Sequence, residues 1–513
     1  MVEPTVHPRL IYYSDAHHFH AKRLDPPVSH HRLQWPIHEL LGTGVELLVF
    51  GLGFGDVYFH QTKYGRVVGD EQEVWSEFIN WRIMRMVKDA AEMGTDQVRE
   101  VITRGRETGL PVFPSLKLQD PAEPGDQRCG WLKWHRGQEV AHRVSSSRFP
   151  SHKTEWCLDY TNELVREEKL ALIRELLEDY STDGIELDFM FFPLYFRESE
   201  TEANVDTMSR FVADVKSLAN EIGHTQDRPI QVVARVAHRR EENIRMGLDV
   251  ESWIANGSVD MIIGQIPNML LDTGVTDGKW MADSANQVGI ASYLRPNRRL
   301  DDPRASIATA EMFRAFGQTL HWQGFTGMYL GYLPWPFAHE EYQLLREMAY
   351  PESFQRRNKR YILPPTEALA PYQMPDNHMI PLTLKEGERE SLPIIVADHF
   401  SSAQADGELR SPVLTLRFQS FCVEDDVQLD FNGTNLPVDR KNIYEPQRGT
   451  YWLRYILDPG VIVQGENILS IEVTRMEPTA GFARLLTGVE INVRYTEFER
   501  PESLNPATIP PPS

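Results

Sequence analysis

The chain has 513 residues, of which 41% are hydrophobic and 25% are charged, and its formal net charge at pH 7 is -21. This length exceeds one typical hydrophobic core, so we expect two domains or one large barrel with an accessory unit. An acidic chain has no basic excess to release counterions from phosphates, which excludes nucleic acid and anionic membranes as main partners. No apolar run approaches the roughly 20 residues that span a bilayer, so no membrane span is expected.

Three cysteines, Cys129, Cys157 and Cys422, show neither a disulfide framework nor a zinc-ligand spacing. The histidine-rich stretch SDAHHFHAKRLDPPVSHH matches no zinc template, so we predict a hydrogen-bonding loop there, no metal and no required cofactor. The start MVEPTVHPRL lacks the charged and apolar regions of a signal peptide. The localisation is therefore open: we expect a cytoplasmic chain, or a secreted or periplasmic one from which a signal was removed.

Short apolar segments alternate with longer helical patterns from about residue 9 to residue 335. The predicted strands are RLIYYSD, VELLVFGLG, LPVFPSLKLQ, TDGIELDFM, PIQVVARVA, VDMIIGQI, VGIASYLR and FTGMYLGYL. Strands that alternate with helices imply parallel crossover connections, so the sequence predicts an α/β fold, a (β/α)8 TIM barrel. A doubly wound open sheet is the alternative, but no GxGxxG motif follows the first strand.

The composition changes near residue 350, which predicts a barrel domain over 1–350. The proline-rich stretch YILPPTEALAPYQMP predicts a linker over 351–375. Alternating segments such as PVLTLRFQ, NILSIEV and GVEINVRY then predict a smaller all-β sandwich, of jelly-roll type, over 376–498. We expect this domain to brace the barrel, with sugar binding as the alternative. The tail 499–513 is predicted to be flexible.

Two acidic residues lie two positions apart in the fourth predicted strand. Side chains alternate in a strand, so Glu186 and Asp188 share a face, and the barrel rule places Asp188 nearer the active, C-terminal end. Clustered carboxylates suit glycosidic cleavage, in which one acid protonates the leaving oxygen and another acts as base or nucleophile. The alternative is that Glu186 only supports the site, as a buried partner of Lys117 or Arg235.

Polar and aromatic residues at the other predicted strand ends complete the candidate site. Such groups could stack on a sugar or fix its hydroxyls. The predicted substrate-binding residues are Asp15, His17, His18, Lys117, Asp120, Arg235, Tyr293 and Tyr329. Each also has a structural alternative, since basic side chains can neutralise the barrel acids and a tyrosine can fill the core.

The sequence leaves the second catalytic acid open among Glu186, Asp15, Asp120 and Glu155. The stereochemical course depends on the distance between the two carboxyl groups, since about 5 to 5.5 Å implies retention and roughly 6.5 to 9.5 Å implies inversion. Sugar identity, linkage and oligomeric state do not follow from the sequence.

DGIELDFM resembles the DGxDxDxE strand-four signature of family 18 chitinase-type hydrolases, with Glu186 and Asp188 at the first two inner acids. Met190 stands where that family keeps its catalytic glutamate, which disfavours a chitinase mechanism. The closer similarity is to the glycosyl-hydrolase-like family 10 group of predicted TIM-barrel glycosidases. It is carried by LDYTNELVREEKLALIRELLEDYSTDGIELDFMFFP, including Asn162, Val165 and Arg166.

RLIYYSD, GLPVFPSLKLQD and GENILSIEV are also similar to barrel-plus-sandwich proteins of that group from polysaccharide-degrading bacteria. Members of that group often have arginine where Phe192 stands, so their loop contact at this position is not carried over to this chain. The resemblance implies a glycoside hydrolase acting on a carbohydrate substrate. Two other hypotheses remain: a non-catalytic carbohydrate-binding barrel, and a polysaccharide lyase in which basic strand-end residues neutralise a uronate.

Overall fold

The computed structural model describes residues 7–70, 72–266, 270–365, 380–422, 424–438, 443–447 and 450–496. Within them, parallel strands form a closed barrel. The barrel strands are β1 (Leu10–Asp15), β2 (Leu47–Gly51), β3 (Val112–Lys117), β4 (Gly184–Asp188), β5 (Gln231–Ala237), β6 (Met261–Gln265), β7 (Ala291–Arg295) and β8 (Gly327–Gly331). Each strand pairs with its neighbours in sequence, and β8 closes the barrel against β1. The predicted TIM barrel is therefore confirmed.

Helices follow each barrel strand. They are α1 (Ala16–Lys22), α2 (His30–Leu33), α3 (Trp35–His38), α4 (Phe78–Glu92), α5 (Gln97–Thr108), α6 (Trp131–Arg136), α7 (Glu163–Asp179), α8 (Val205–Thr225), α9 (Arg240–Met246), α10 (Val250–Ala255), α11 (Lys279–Val288), α12 (Ala310–Gln323), α13 (His339–Glu347) and α14 (Pro351–Phe354). Helix α7 begins where the side chain of Asn162 accepts a hydrogen bond from the backbone N–H of Leu164 at 3.0 Å. It buries Val165, Leu172 and Leu176, which lie on one helical face.

Two connections carry additional short strands. After β2, the pairs Gly53–Phe54, Val57–Tyr58 and Arg66–Val67 form a small sheet at the C-terminal end of the barrel. After β7, Arg299–Asp302 and Ala305–Ile307 form a hairpin that reaches toward the second domain.

The second domain is a sandwich of antiparallel strands, as predicted. Its strands are β9 (Lys359–Leu363), β10 (Leu382–Leu384), β11 (Arg389–Val396), β12 (Leu409–Gln419), β13 (Asp426–Phe431), β14 (Thr434–Leu436), β15 (Ile443–Gln447), β16 (Thr450–Ile456), β17 (Gly465–Arg475) and β18 (Arg484–Tyr495), with helix α15 (Phe400–Ala405) between β11 and β12. One sheet has the order β9-β18-β12-β16-β15, with β10 also paired to β18, and the other has the order β11-β17-β13-β14. Apolar side chains of both sheets form the core between them.

The sandwich packs directly on the barrel domain. Helix α12 contributes Ala315 to the sandwich core. The hydroxyl of Thr273 donates to the carbonyl of Ile362 at 3.1 Å and accepts from its N–H at 2.8 Å. Strand β9 lies inside the segment 351–375 that the sequence assigned to a linker, and residues 366–375 of that segment lie outside the described residues. The flexible tail predicted at 499–513 also lies outside them.

Side chains alternate between the barrel interior and the helix layer as the strand period requires. On β4, Ile185 and Leu187 belong to the core under the helices, whereas Glu186 faces Tyr329 of β8 across the interior. In the described part of the chain, no helix combines the length and apolarity needed to cross a membrane.

Candidate functional site

Asp188 ends β4 at the C-terminal mouth of the barrel. Its Oδ1 accepts a hydrogen bond from the N–H of Met190 at 2.8 Å, and its Oδ2 contacts the guanidinium of Arg235 on β5. Strand pairing makes Asp188 the Cα partner of both Lys117 and Arg235. The carboxylate is therefore flanked by a basic residue on each neighbouring strand, although its own side chain is only 1% exposed.

Glu186 lies one layer deeper and is fully buried. Its Oε1 accepts from the hydroxyl of Ser115 at 2.6 Å and from Nε of Arg235 at 3.3 Å, and its Oε2 accepts from the hydroxyl of Tyr329 at 2.8 Å. Burial and the nearby carboxylate of Asp188 raise the pKa of Glu186, against the opposing effect of Arg235. The sequence offered Lys117 or Arg235 as its partner, and Arg235 occupies that place.

Lys117 instead pairs with Asp15 across strand β2. Its Nζ lies 2.9 Å from Oδ2 of Asp15 and 3.1 Å from the carbonyl of Gly53. Oδ2 also accepts from the hydroxyl of Tyr13 at 2.9 Å. Burial would raise the pKa of Asp15, but the Lys117 ammonium and the Tyr13 hydroxyl more than offset burial, and the pKa is lowered.

Gly51 leaves the space in which this ion pair forms. It ends β2 as the Cα partner of Asp15. A Cβ at this position would lie 2.7 Å from the hydroxyl of Tyr13 and 2.8 Å from Oδ2 of Asp15, closer than side-chain carbons normally approach. Because Gly51 has no side chain, Lys117 of β3 can reach Asp15 of β1 across the end of β2.

Aromatic rings and imidazoles line the mouth beside this ion pair. The ring of His17 stacks on Phe54 with centroids 4.2 Å apart, and His18 meets Tyr332 edge-on at 4.6 Å. Burial lowers the pKa of both histidines, that of His18 to about 4. Neutral imidazoles at this position can hydrogen-bond a polar ligand without attracting an anion.

Two further polar residues at the mouth were missed in the sequence. Gln265 ends β6, and its Oε1 accepts from Arg235 at 2.6 Å and from Arg295 of β7 at 2.7 Å. The guanidinium of Arg295 also lies over the ring of Tyr332, 5.7 Å from its centroid. Their positions at strand ends were visible in the sequence, so the barrel rule alone could have identified both.

Asp120 belongs to a buried charge cluster, and the guanidinium of Arg128, which lies over the ring of Phe54, is 3.9 Å from its Oδ2. Its side chain is fully buried, its Oδ1 accepts from the N–H of Ala122, and its carbonyl accepts from Lys133. The same ammonium lies 3.5 Å from Asp56, and Lys169 lies 2.9 Å from the other oxygen of Asp56. These contacts hold the loops after β2 and β3 together.

Of the other predicted residues, one contacts an acid of the site and the others do not. Tyr329 and Tyr293 both fill the barrel interior, and only the hydroxyl of Tyr329 reaches a site acid. Glu155 accepts a hydrogen bond from Ser145 in a surface loop. Among the described residues, no cluster of three or more histidine, cysteine or acidic side chains has the geometry to hold a metal ion.

No family model matches the chain, and no curated protein matches it. It is similar to the endo-beta-1,4-mannanase from Thermotoga petrophila, with 12% identity over 94% of this chain and 97% of that one and a TM-score of 0.44. It is also similar to the PgaB (BpsB) glycoside hydrolase domain from Bordetella bronchiseptica, with 13% identity over 67% of this chain and 98% of that one and a TM-score of 0.43. A third similar structure is a cycloisomaltooligosaccharide glucanotransferase from Paenibacillus sp., with 11% identity over 94% of this chain and 57% of that one and a TM-score of 0.35.

This chain therefore spans 57% of the length of that glucanotransferase. All three similarities concern the fold, and no activity is carried over from them. The resemblance of the strand-four segment to the glycosyl-hydrolase-like family 10 group stays a prediction, since no family model matches.

Proposed function

We propose that the protein is a glycoside hydrolase that cleaves a glycosidic bond in a poly- or oligosaccharide, with Asp188 as the reacting carboxylate. The observation that carries the proposal is the row of alternating charges at the barrel mouth, formed by Asp15, Lys117, Asp188 and Arg235. Active sites of TIM barrels lie at this end of the strands. Carboxylates there can stabilise an oxocarbenium-like centre and deliver or accept a proton.

Arg235 supports this role because it fixes both acids of β4. Its guanidinium contacts Asp188 and Glu186 together, and burial among these acids leaves its pKa raised well above the usual value, since their charges more than offset the desolvation. Glu186 has all its contacts inside the barrel, so we assign it a positioning role through Arg235. Asp188 is one layer nearer the mouth and is the carboxylate that a substrate would meet first.

A non-catalytic carbohydrate-binding barrel is the second candidate. It is favoured by one specific observation: both oxygens of Asp188 already have partners, in Met190 and Arg235. In that case the carboxylate would bind sugar hydroxyls without turnover. A lyase is not proposed, because Lys117 and Arg235 are both engaged by acids of the barrel and are not placed to neutralise a uronate.

The test is a panel of polysaccharides and oligosaccharides incubated with the wild-type protein and with Asp188→Asn. New reducing ends and ultraviolet absorbance of unsaturated products are measured together. Reducing ends from the wild type alone, without absorbance, support a hydrolase centred on Asp188. Saturable binding without any cleavage supports the binding protein, and cleavage that survives Asp188→Asn removes β4 from the chemistry.

A further inference from the structure

A cleft of about 380 Å³ lies between the barrel domain and the sandwich. Its barrel side is the C-terminal part of α12, with Gln318 and Trp322, and its sandwich side includes Asp398, Gln464 and Tyr495. Helix α12 runs back from the mouth to the start of β8, so its last turn is at the opposite end of the barrel from Asp188. The volume is within the range of small-molecule sites.

The sandwich wall of the cleft is a rigid hydrogen-bonded unit. The carboxylate of Asp398 is 2.9 Å from the ammonium of Lys359 and accepts hydrogen bonds from the hydroxyls of Tyr361 and Tyr495. All four side chains are buried. A buried polar network whose members satisfy one another fixes the positions of its atoms, which pre-organises the adjoining surface.

Two barrel residues of the cleft, Gln318 and Trp322, have groups that could bind a ligand: an amide oxygen and an indole ring. The side chain of Gln318 is 8% exposed, and in the part of the chain that the structure describes, its Oε1 has no hydrogen-bond partner. A buried amide oxygen without a donor carries a desolvation cost that a bound hydroxyl would remove. Trp322 lies against Gly465 of β17, where an added Cβ would come within 3.2 Å of the ring, and yet remains 40% exposed.

Arg356 and Asp398, the charged side chains that line the cleft, each already have a partner of opposite charge. Arg356 pairs with Asp406 at 2.8 Å and also with Glu408, and Asp398 pairs with Lys359. The polar groups at the rim are otherwise uncharged amides and hydroxyls or imidazoles: Gln355, Gln464, Ser402, His321 and His399. An ionic ligand would have to break one of these pairs. A neutral ligand with many hydroxyl groups and an apolar ring face fits the lining instead.

We infer that this cleft is a second saccharide-binding site, in which a neutral sugar ring stacks on Trp322 and a sugar hydroxyl donates to Gln318. The site is separate from the mouth of the barrel. It would hold a carbohydrate chain on the protein whether or not Asp188 performs catalysis, so it goes beyond the proposed hydrolase.

The experiment is isothermal titration calorimetry on the full chain carrying Asp188→Asn, so that no ligand is consumed. The probes are neutral oligosaccharides of glucose, mannose, xylose and N-acetylglucosamine, each four to six units long. We expect saturable binding of at least one probe, and an affinity about tenfold lower in Trp322→Ala and in Gln318→Met. Gln318→Met retains the side-chain volume and tests the amide alone.

Trp81→Ala is the matched control, since Trp81 is 42% exposed but lies on α4, which the cleft does not include. Its affinity should equal that of the parent, and the unfolding midpoint of each variant should remain close to the parent's. The inference is overturned if no probe binds, or if both cleft variants bind as the parent does. Cleft binding together with no cleavage by the wild type would favour the carbohydrate-binding protein over the hydrolase and would support the cleft.

Discussion

Arg235 and Asp188 are Cα partners in the pairing of β5 with β4, and the guanidinium of one contacts the carboxylate of the other. Arg235 also lies 3.3 Å from Glu186, so a single cation serves two acids in successive layers of the barrel. The outer acid is near the mouth, whereas the inner acid is enclosed. An amide at either position weakens a buried pair with Arg235 and should lower stability, but only at the outer position does it also remove the reacting carboxylate.

Asp188→Asn should lower kcat about a thousandfold on whichever saccharide the wild type cleaves, since an amide cannot act as base or nucleophile. The matched control is Asp183→Asn, just before the other end of β4, where the side chain is 47% exposed and pairs with Arg228. Turnover is measured from reducing ends, and circular dichroism checks that both variants fold. Equal activity in the two variants would contradict the assignment of Asp188.

Glu186→Gln should reduce the free energy of unfolding by about 3 kcal/mol, because breaking one partner of a buried ion pair leaves Arg235 undercompensated. The amide nitrogen would also face one of the two hydroxyl donors, that of Ser115 or that of Tyr329, and could not accept a hydrogen bond from it. Tyr329→Phe removes one of those donors only and should cost about 1 kcal/mol. Urea unfolding measures both values. A loss for Glu186→Gln no larger than that for Tyr329→Phe would show that the ion pair is not a major stabilising contact.

The barrel and the acids of β4 could be predicted because they depend on local patterns. Apolar strands alternating with helical periods define the fold, and the spacing of Glu186 and Asp188 defines their shared face. The partner of Lys117 could not be predicted, since it is found two strands away across Gly51 and depends on the closed geometry of the barrel. Likewise, β9 was hidden in a segment whose prolines indicated a linker, because its pairing partner β18 lies more than a hundred residues later.

Gly51→Ala should displace Asp15 from Lys117, because the new Cβ would lie 2.8 Å from Oδ2 of Asp15. We expect the free energy of unfolding to fall by about 1 to 3 kcal/mol, as for other overpacked sites, and kcat/KM to fall about tenfold or more. Gly481→Ala is the control, since a Cβ there meets no atom within 4 Å. Unchanged kcat/KM in Gly51→Ala would remove the Asp15–Lys117 pair from the functional site.

Glu168 provides a pH test of the charge cluster behind the mouth. Its Oε1 accepts from the N–H of Leu132 at 3.0 Å, and burial together with the charge of Asp56 raises its pKa to about 7, despite the neighbouring ammonium of Lys169. Between the ordinary pKa of 4.5 and about 7, the folded protein keeps a proton that the unfolded chain has released. The stability that this proton contributes is present below the lower value and is lost as the pH rises through the upper one.

From about pH 5 to pH 8, the free energy of unfolding of the wild type should therefore fall by roughly 1 to 3 kcal/mol more than that of Glu168→Gln. Urea unfolding at both pH values gives this double difference, in which titrating groups common to both proteins cancel. Glu167→Gln is the control, because Glu167 is exposed on the same helix, and its double difference should be near zero. If Glu168→Gln has the same pH dependence as the wild type, the carboxyl is ionised in the folded protein, and Lys169 then compensates its charge together with that of Asp56.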